Sequence, residues 1–150
     1  MKPIVKLLIL SSLFMGFAST SSDANAADLY LNLFRNPSIG PELKWADFSI
    51  HTGLYTTILS KNDKGEHVST EFVRTGVTLW PSQHVYVSAS HVYGITRDWK
   101  NKHGGLYEAG VQILLLDGRL AFRLGVAVLP SKEFGTKVNP TPGISIRFPF

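Results

Sequence analysis

The chain of 150 residues has no cysteine, which removes disulfide scaffolds, thiolate metal sites, cysteine nucleophiles and lipoprotein-type acylation together. Charge is also sparse. At 17% it lies below the about 25% of an average soluble domain, while 44% of residues are hydrophobic, which argues against a disordered chain. The 15 basic and 11 acidic residues form no concentrated basic patch, which excludes a nucleic-acid-binding domain. No apolar run reaches the roughly 20 residues a spanning helix needs. The histidines His51, His67, His84, His91 and His103 lack metal-ligand spacing, and neither a glycine-rich phosphate loop nor a G-x-S-x-G occurs. No metal site and no cofactor is implied.

What is present begins with an address. Lys2 and Lys6 precede an apolar run from Leu7 to Ala18, and small and polar residues lead to Ala24-Asn25-Ala26. A basic start, a short apolar stretch and an A-x-A site predict a signal peptide over residues 1–26, cleaved before Ala27, with one domain over 27–150. The mature chain then carries a charge near +3.

From residue 27 onward the dominant signal has period two, broken at short intervals by turn formers. Along 119–129, Leu120, Phe122, Leu124, Val126 and Val128 share one face, and Arg119, Ala121, Arg123, Gly125 and Ala127 the other. The same split predicts strands over 29–34, 39–45, 48–58, 72–79, 85–95, 107–115, 119–129 and 144–150, with Pro41 weakening the second. Short connections at 46–47, 81–83 and 117–118 alternate with longer polar ones at 61–67, 97–105 and 131–142, and a tight loop at 35–38 joins the first pair. Several strands reach 10–12 residues, longer than the usual 5–6. The predicted fold is all-β: an eight-stranded antiparallel up-and-down barrel.

The apolar faces are continuous, and Glu42, Lys44, Arg74, Glu108, Arg123 and Arg147 share the opposite register with His51, Tyr55 and Gln112. Period alone fits either a soluble barrel with this set outside or a membrane barrel with it inside. Three features favour the second. Gly53, Gly76, Gly110 and Gly125 recur on the polar face, where a narrow lumen is crowded. Aromatics cluster near strand ends, at Trp45, Phe48, Trp80, Tyr93, Tyr107, Phe148 and Phe150, as an interfacial girdle does. The chain closes on a strand of alternating hydrophobics ending in Phe150.

That terminal pattern resembles the insertion signal of bacterial outer-membrane barrels, and the mature chain is similar in architecture to the small eight-stranded OmpA and OmpX type. Pro149 departs from the usual penultimate residue. The resemblance implies a Gram-negative outer membrane, lipid and lipopolysaccharide as surroundings, and the barrel-assembly machinery as a partner engaged through Phe150. Eight strands enclose a lumen that side chains just fill. Buried charges need partners, so Glu42 and Glu108 are expected to neutralise some of Lys44, Arg74, Arg123 and Arg147. This reading makes the chain a structural or interaction protein rather than an enzyme. A narrow channel and a soluble periplasmic barrel with an apolar ligand inside are the alternatives.

Small outer-membrane barrels include a lipid A deacylase, which this chain resembles in size and location. That family uses a His, a Ser two residues later and a Glu on a neighbouring strand, all on the lipid-facing wall. His91 occupies such a place, but Tyr93 stands where the Ser belongs. Pairing through a turn at 81–83 sets Val73 opposite His91 and brings Glu71 diagonal to it, giving a base and orienter without the nucleophile. Two other features are local. The segment Phe34-Arg-Asn-Pro-Ser-Ile-Gly40 is dense in turn formers and leaves Arg35 for a phosphate or carboxylate. The longer loops carry Lys61, Lys64, Arg97, Lys100, Lys102, Lys132 and Lys137 with Trp99 and Phe134, a cationic and aromatic set suited to lipopolysaccharide phosphates.

Overall fold

A computed structural model describes residues 27–34, 36–57, 64–66, 69–132 and 135–148. Its strands are β1 (Asp28–Asn32), β2 (Gly40–Lys44), β3 (Phe48–Thr56), β4 (Glu71–Ser82), β5 (Val85–Gly94), β6 (His103–Leu115), β7 (Leu120–Leu129) and β8 (Lys137–Phe148), with a 3-10 turn at Arg97–Trp99. Each strand pairs antiparallel with the next, and β1 pairs with β8, so the sheet closes into an up-and-down barrel. Closure leaves no free edge, which is how an eight-stranded sheet satisfies its backbone without a second layer.

Alternation sets the two faces. Strand β7 reads buried at Ala121, Arg123, Gly125, Ala127 and Leu129, and exposed at Phe122, Leu124 and Val126. The pattern repeats around the barrel. Arg74, Glu42 and His51 are buried, while Leu79, Ile113 and Leu124 are more than half exposed. The interior is therefore polar through its middle, and the outer wall is apolar.

Three boundaries differ most from the sequence reading. The turn between β4 and β5 was expected at 81–83, whereas β4 runs to Ser82, the turn is Gln83-His84, and the register shifts between Leu79 and Ser82. His91 consequently faces Thr75, and Val73 faces Tyr93. The segment 131–142, expected as a loop, is strand from Lys137 onward. Pro140 and Pro142 hid it, because proline cannot donate to a ladder. They are accommodated because β8 pairs with β7 from Lys137 to Ile146 but with β1 only from Ser145 to Phe148, so the prolines lie beyond the β1 ladder. Similarly, β6 starts at His103, inside the expected loop 97–105.

Strands β1 and β2 are five residues long, against 9 to 13 for the others. Their connection folds inward over the deficit: Asn36, Pro37 and Ser38 are buried. The barrel wall makes room at Gly143, where a β-carbon would sit 2.6 Å from the Asn36 side chain.

Candidate functional site: the barrel interior and its outer rim

The middle of the lumen is built around Arg74 and Glu108, on β4 and β6. Arg74 Nη1 meets Glu108 Oε2 at 2.6 Å, with both side chains wholly buried. The guanidinium also donates to Ser90 Oγ at 2.9 Å, to Ser88 Oγ at 3.2 Å and to the Pro37 carbonyl of the inward connection. Glu108 Oε1 accepts from Tyr86 at 2.9 Å and Thr141 at 2.7 Å. Asn36 donates to the Tyr86 hydroxyl and to the Thr141 carbonyl. Tyr86 fits because Gly110 and Gly125 face it; a β-carbon at either would lie 2.3 Å from its hydroxyl oxygen.

Toward the short-turn end a second cluster forms on Glu42 and Arg123, 2.6 Å apart. Glu42 also accepts from Ser49 at 2.5 Å and Asn32 at 3.1 Å, and Arg123 donates to Gln112 at 3.3 Å. Asn32 in turn accepts from Ser145. Lys44 Nζ lies 3.5 Å from the centre of the Trp80 ring, and the Arg123 guanidinium lies 5.0 Å from the same centre, so two cations share one indole. Trp80 donates to Ser49 at 3.1 Å. It is an interior residue, 4% exposed, and not part of an outer girdle as expected. His51, opposite Glu42 in the β2–β3 ladder, reaches the first cluster through Ser90 at 3.2 Å and meets Thr78 at 3.4 Å. Arg147 pairs with Asp28 at 2.8 Å near the short-turn mouth, where both side chains are about a third exposed.

At the long-loop end the interior turns apolar. Tyr55, Phe72, Val92, Trp99, Leu106, Ala127 and Leu129 form a buried cluster, with Trp99 edge-on to Phe72 at 5.4 Å. This corrects the reading of Trp99 as an exposed loop tip. The 3-10 turn folds back over the barrel, held by Gly94 N–H to the Lys102 carbonyl and Asn101 N–H to the Gly94 carbonyl, and carries the indole inside. Arg97 is exposed and donates to the Ser69 carbonyl at 2.8 Å; Lys100 is exposed and Lys102 half-buried.

On the outer wall, His91 Nε2 and His103 Nδ1 are 2.9 Å apart. Glu71 is not beside them. The observed register lies two residues from the expected one, which sets Glu71 four residues along β4 from Thr75, roughly 13 Å away. There its amide donates to Thr96 Oγ1 and its carbonyl accepts from the Ile95 amide. With Tyr93 hydrogen-bonded to Asn101 at 2.7 Å, no His–Ser–Glu arrangement is assembled around His91. Among the described residues, no group of three or more His, Asp or Glu is placed to hold a metal ion.

Several members of the interior network escaped the sequence reading. Ser88, Ser90 and Tyr86 lie on the face already assigned inward, so parity alone indicates them. Thr141 was obscured by its flanking prolines. Asn36 had no periodic signal at all, because a connection, not a strand, delivers it. Arg35, His67, Lys61, Phe134, Phe150 and the segment 1–26 lie outside the described residues. No protein-family model, curated protein or solved structure matches this chain.

Proposed function

We propose that this chain is a bacterial outer-membrane β-barrel, exported by its N-terminal signal segment, whose filled polar lumen serves a structural or interaction role at the cell surface. The carrying observation is the polarity of the barrel. Two full ion pairs, Arg74–Glu108 and Arg123–Glu42, are buried inside, while Leu79, Ile113, Leu124 and Val138 are each more than half exposed outside. In water such a wall is an aggregation surface; in hydrocarbon it is the required one, because a closed barrel satisfies its backbone internally and turns its apolar alternate residues to lipid. Strands β3–β8 also have the 9 to 13 residues suited to a tilted crossing of about 9–11.

The same observation weighs against the rivals. A soluble ligand-binding barrel needs an apolar lumen, and a channel needs an open one, whereas here charged belts and the Trp99 cluster occupy the interior. The deacylase reading lacks a serine two residues after His91, where Tyr93 stands, and Ser90 points into the lumen. Outer-leaflet lipopolysaccharide is the proposed contact of the cationic turn with Arg97, Lys100 and Lys102, and Phe150 the proposed contact of the assembly machinery. The test is a gel of the outer-membrane fraction of an expressing Gram-negative cell, run with and without boiling. A band there that shifts on heating supports the reading. Recovery in the soluble periplasm without a shift overturns it.

A further inference from the structure

The outer wall is not uniformly bulky. A groove of about 450 Å³ runs across β4–β7, in the lower part of the usual ligand-site range of roughly 300–1,000 Å³. Register explains it. One row across the wall reads Val77, Ala89, Tyr107, and the next reads Leu79, Val87, Ala109. The two alanines leave a trough where neighbouring positions carry larger side chains. One row further toward the long loops, the wall becomes polar: Thr75 faces His91, and His91 faces Gly105.

That polar row is organised. His91 and His103 share a hydrogen bond of 2.9 Å, and Tyr93 packs on the His103 ring at 5.0 Å between centres. Tyr107 reaches up from the groove: a β-carbon on Gly105 would lie 3.3 Å from its hydroxyl oxygen, so the phenol covers the glycine beside His91. Each imidazole has a second ring nitrogen. Just above, the connection from β5 to β6 contributes Arg97, Lys100 and Lys102; the sequence there also holds Asp98, and Glu71 is exposed at the start of β4, so the net charge stays positive. An apolar trough thus ends in imidazole and phenol groups under a cationic rim.

We infer that this groove is a binding site for one acyl chain of a phosphate-bearing membrane lipid, the chain lying along Ala89 and Ala109 and the phosphate at His91 and His103. Charge complementarity selects the headgroup, since the rim has a net positive charge, and the phenol and the one ring N–H that the neutral imidazole pair leaves free can donate to phosphate oxygens. The inference rests on the membrane reading above and gives one stretch of the wall a preferred lipid.

The test is native mass spectrometry of the full chain, refolded in dodecyl maltoside and mixed with dimyristoyl phosphatidic acid. The comparison lipid is dimyristoyl glycerol, which has the same chains without the phosphate. The variants are Ala89→Leu and Ala109→Leu to fill the trough, His91→Ala with His103→Ala to remove the head, and Leu31→Ala on the far wall as control. One retained phosphatidic acid is expected on the wild type and the control. Occupancy should fall roughly tenfold on filling the trough and on removing both imidazoles, and dimyristoyl glycerol should bind weakly. Equal retention by wild type and trough-filled variants, in protein that still shows the heat-dependent gel shift, overturns the groove and leaves the membrane barrel standing. Equal binding of dimyristoyl glycerol overturns the headgroup assignment. A dimer that Ala89→Leu dissociates makes the trough a contact between copies and also overturns it. Protein that neither enters micelles nor shifts on heating sinks the membrane reading first, and the lipid site with it.

Discussion

At the scale of single residues, the interior is a set of charges whose desolvation is offset by specific partners. Removing one member strands the other in a site without water access, a penalty of about 3–5 kcal/mol. Glu108→Ala leaves Arg74 without its carboxylate, and Arg123→Ala does the same to Glu42, so each variant should lose roughly that much stability in urea unfolding of the refolded barrel. Arg147→Ala is the contrast. Its pair with Asp28 is about a third exposed and should cost less than about 1 kcal/mol. Midpoints for Glu108→Ala and Arg123→Ala that match the parent would show that the pairs do not hold the barrel. The inward positions of these residues were legible from parity, because a strand puts alternate side chains on opposite faces whatever surrounds it. The choice of partner was not. Arg74 takes Glu108 and Arg147 takes Asp28 because strand stagger brings those ends together across the lumen, which no local spacing encodes.

At the scale of elements, the decisive feature is the mismatch between two five-residue strands and their longer neighbours. The gap above β1 and β2 is closed by their own connection, whose Asn36 bonds to Tyr86 and Thr141 and whose Pro37 carbonyl accepts from Arg74. Asn36→Ala leaves buried polar groups on Thr141 and Tyr86 short of a donor and should cost about 1–3 kcal/mol, whereas Leu33→Ala on the exposed wall should change the unfolding midpoint little. Equal shifts in the two variants would remove the connection from the stabilising network. The turn formers between Phe34 and Gly40 announced a bend, but not its direction. A loop turns inward only where shorter strands leave space, and strand length relative to neighbours is a property of the assembled sheet. Trp99 follows the same logic: its sequence context is a polar loop, and the 3-10 turn places it in the apolar cluster.

At the scale of the molecule, polarity is the property on which the proposed function depends, and it can be challenged without disturbing the interior. Leu124 projects outward from the middle of β7 and is 59% exposed. In a bilayer, Leu124→Arg should destabilise by about 2–4 kcal/mol, because the charge enters hydrocarbon near the midplane. In a soluble barrel the same change meets water and should be close to neutral. Unfolding from vesicles, compared between parent and variant, separates the two.

By itself the sequence determined which residues share a face, that eight strands alternate direction through short and long connections, and that the charges gather on one side of the sheet. Each of these follows from period two and turn chemistry, which act over a few residues. Only the tertiary structure decided that Thr75 rather than Val73 faces His91, that Pro140 and Pro142 sit inside a strand, and that Asn36 and Trp99 point into the barrel. Those outcomes depend on closure. Once β8 meets β1, stagger around the ring sets where each ladder ends, and prolines, loops and aromatics settle into the places that the ladders leave uncovered.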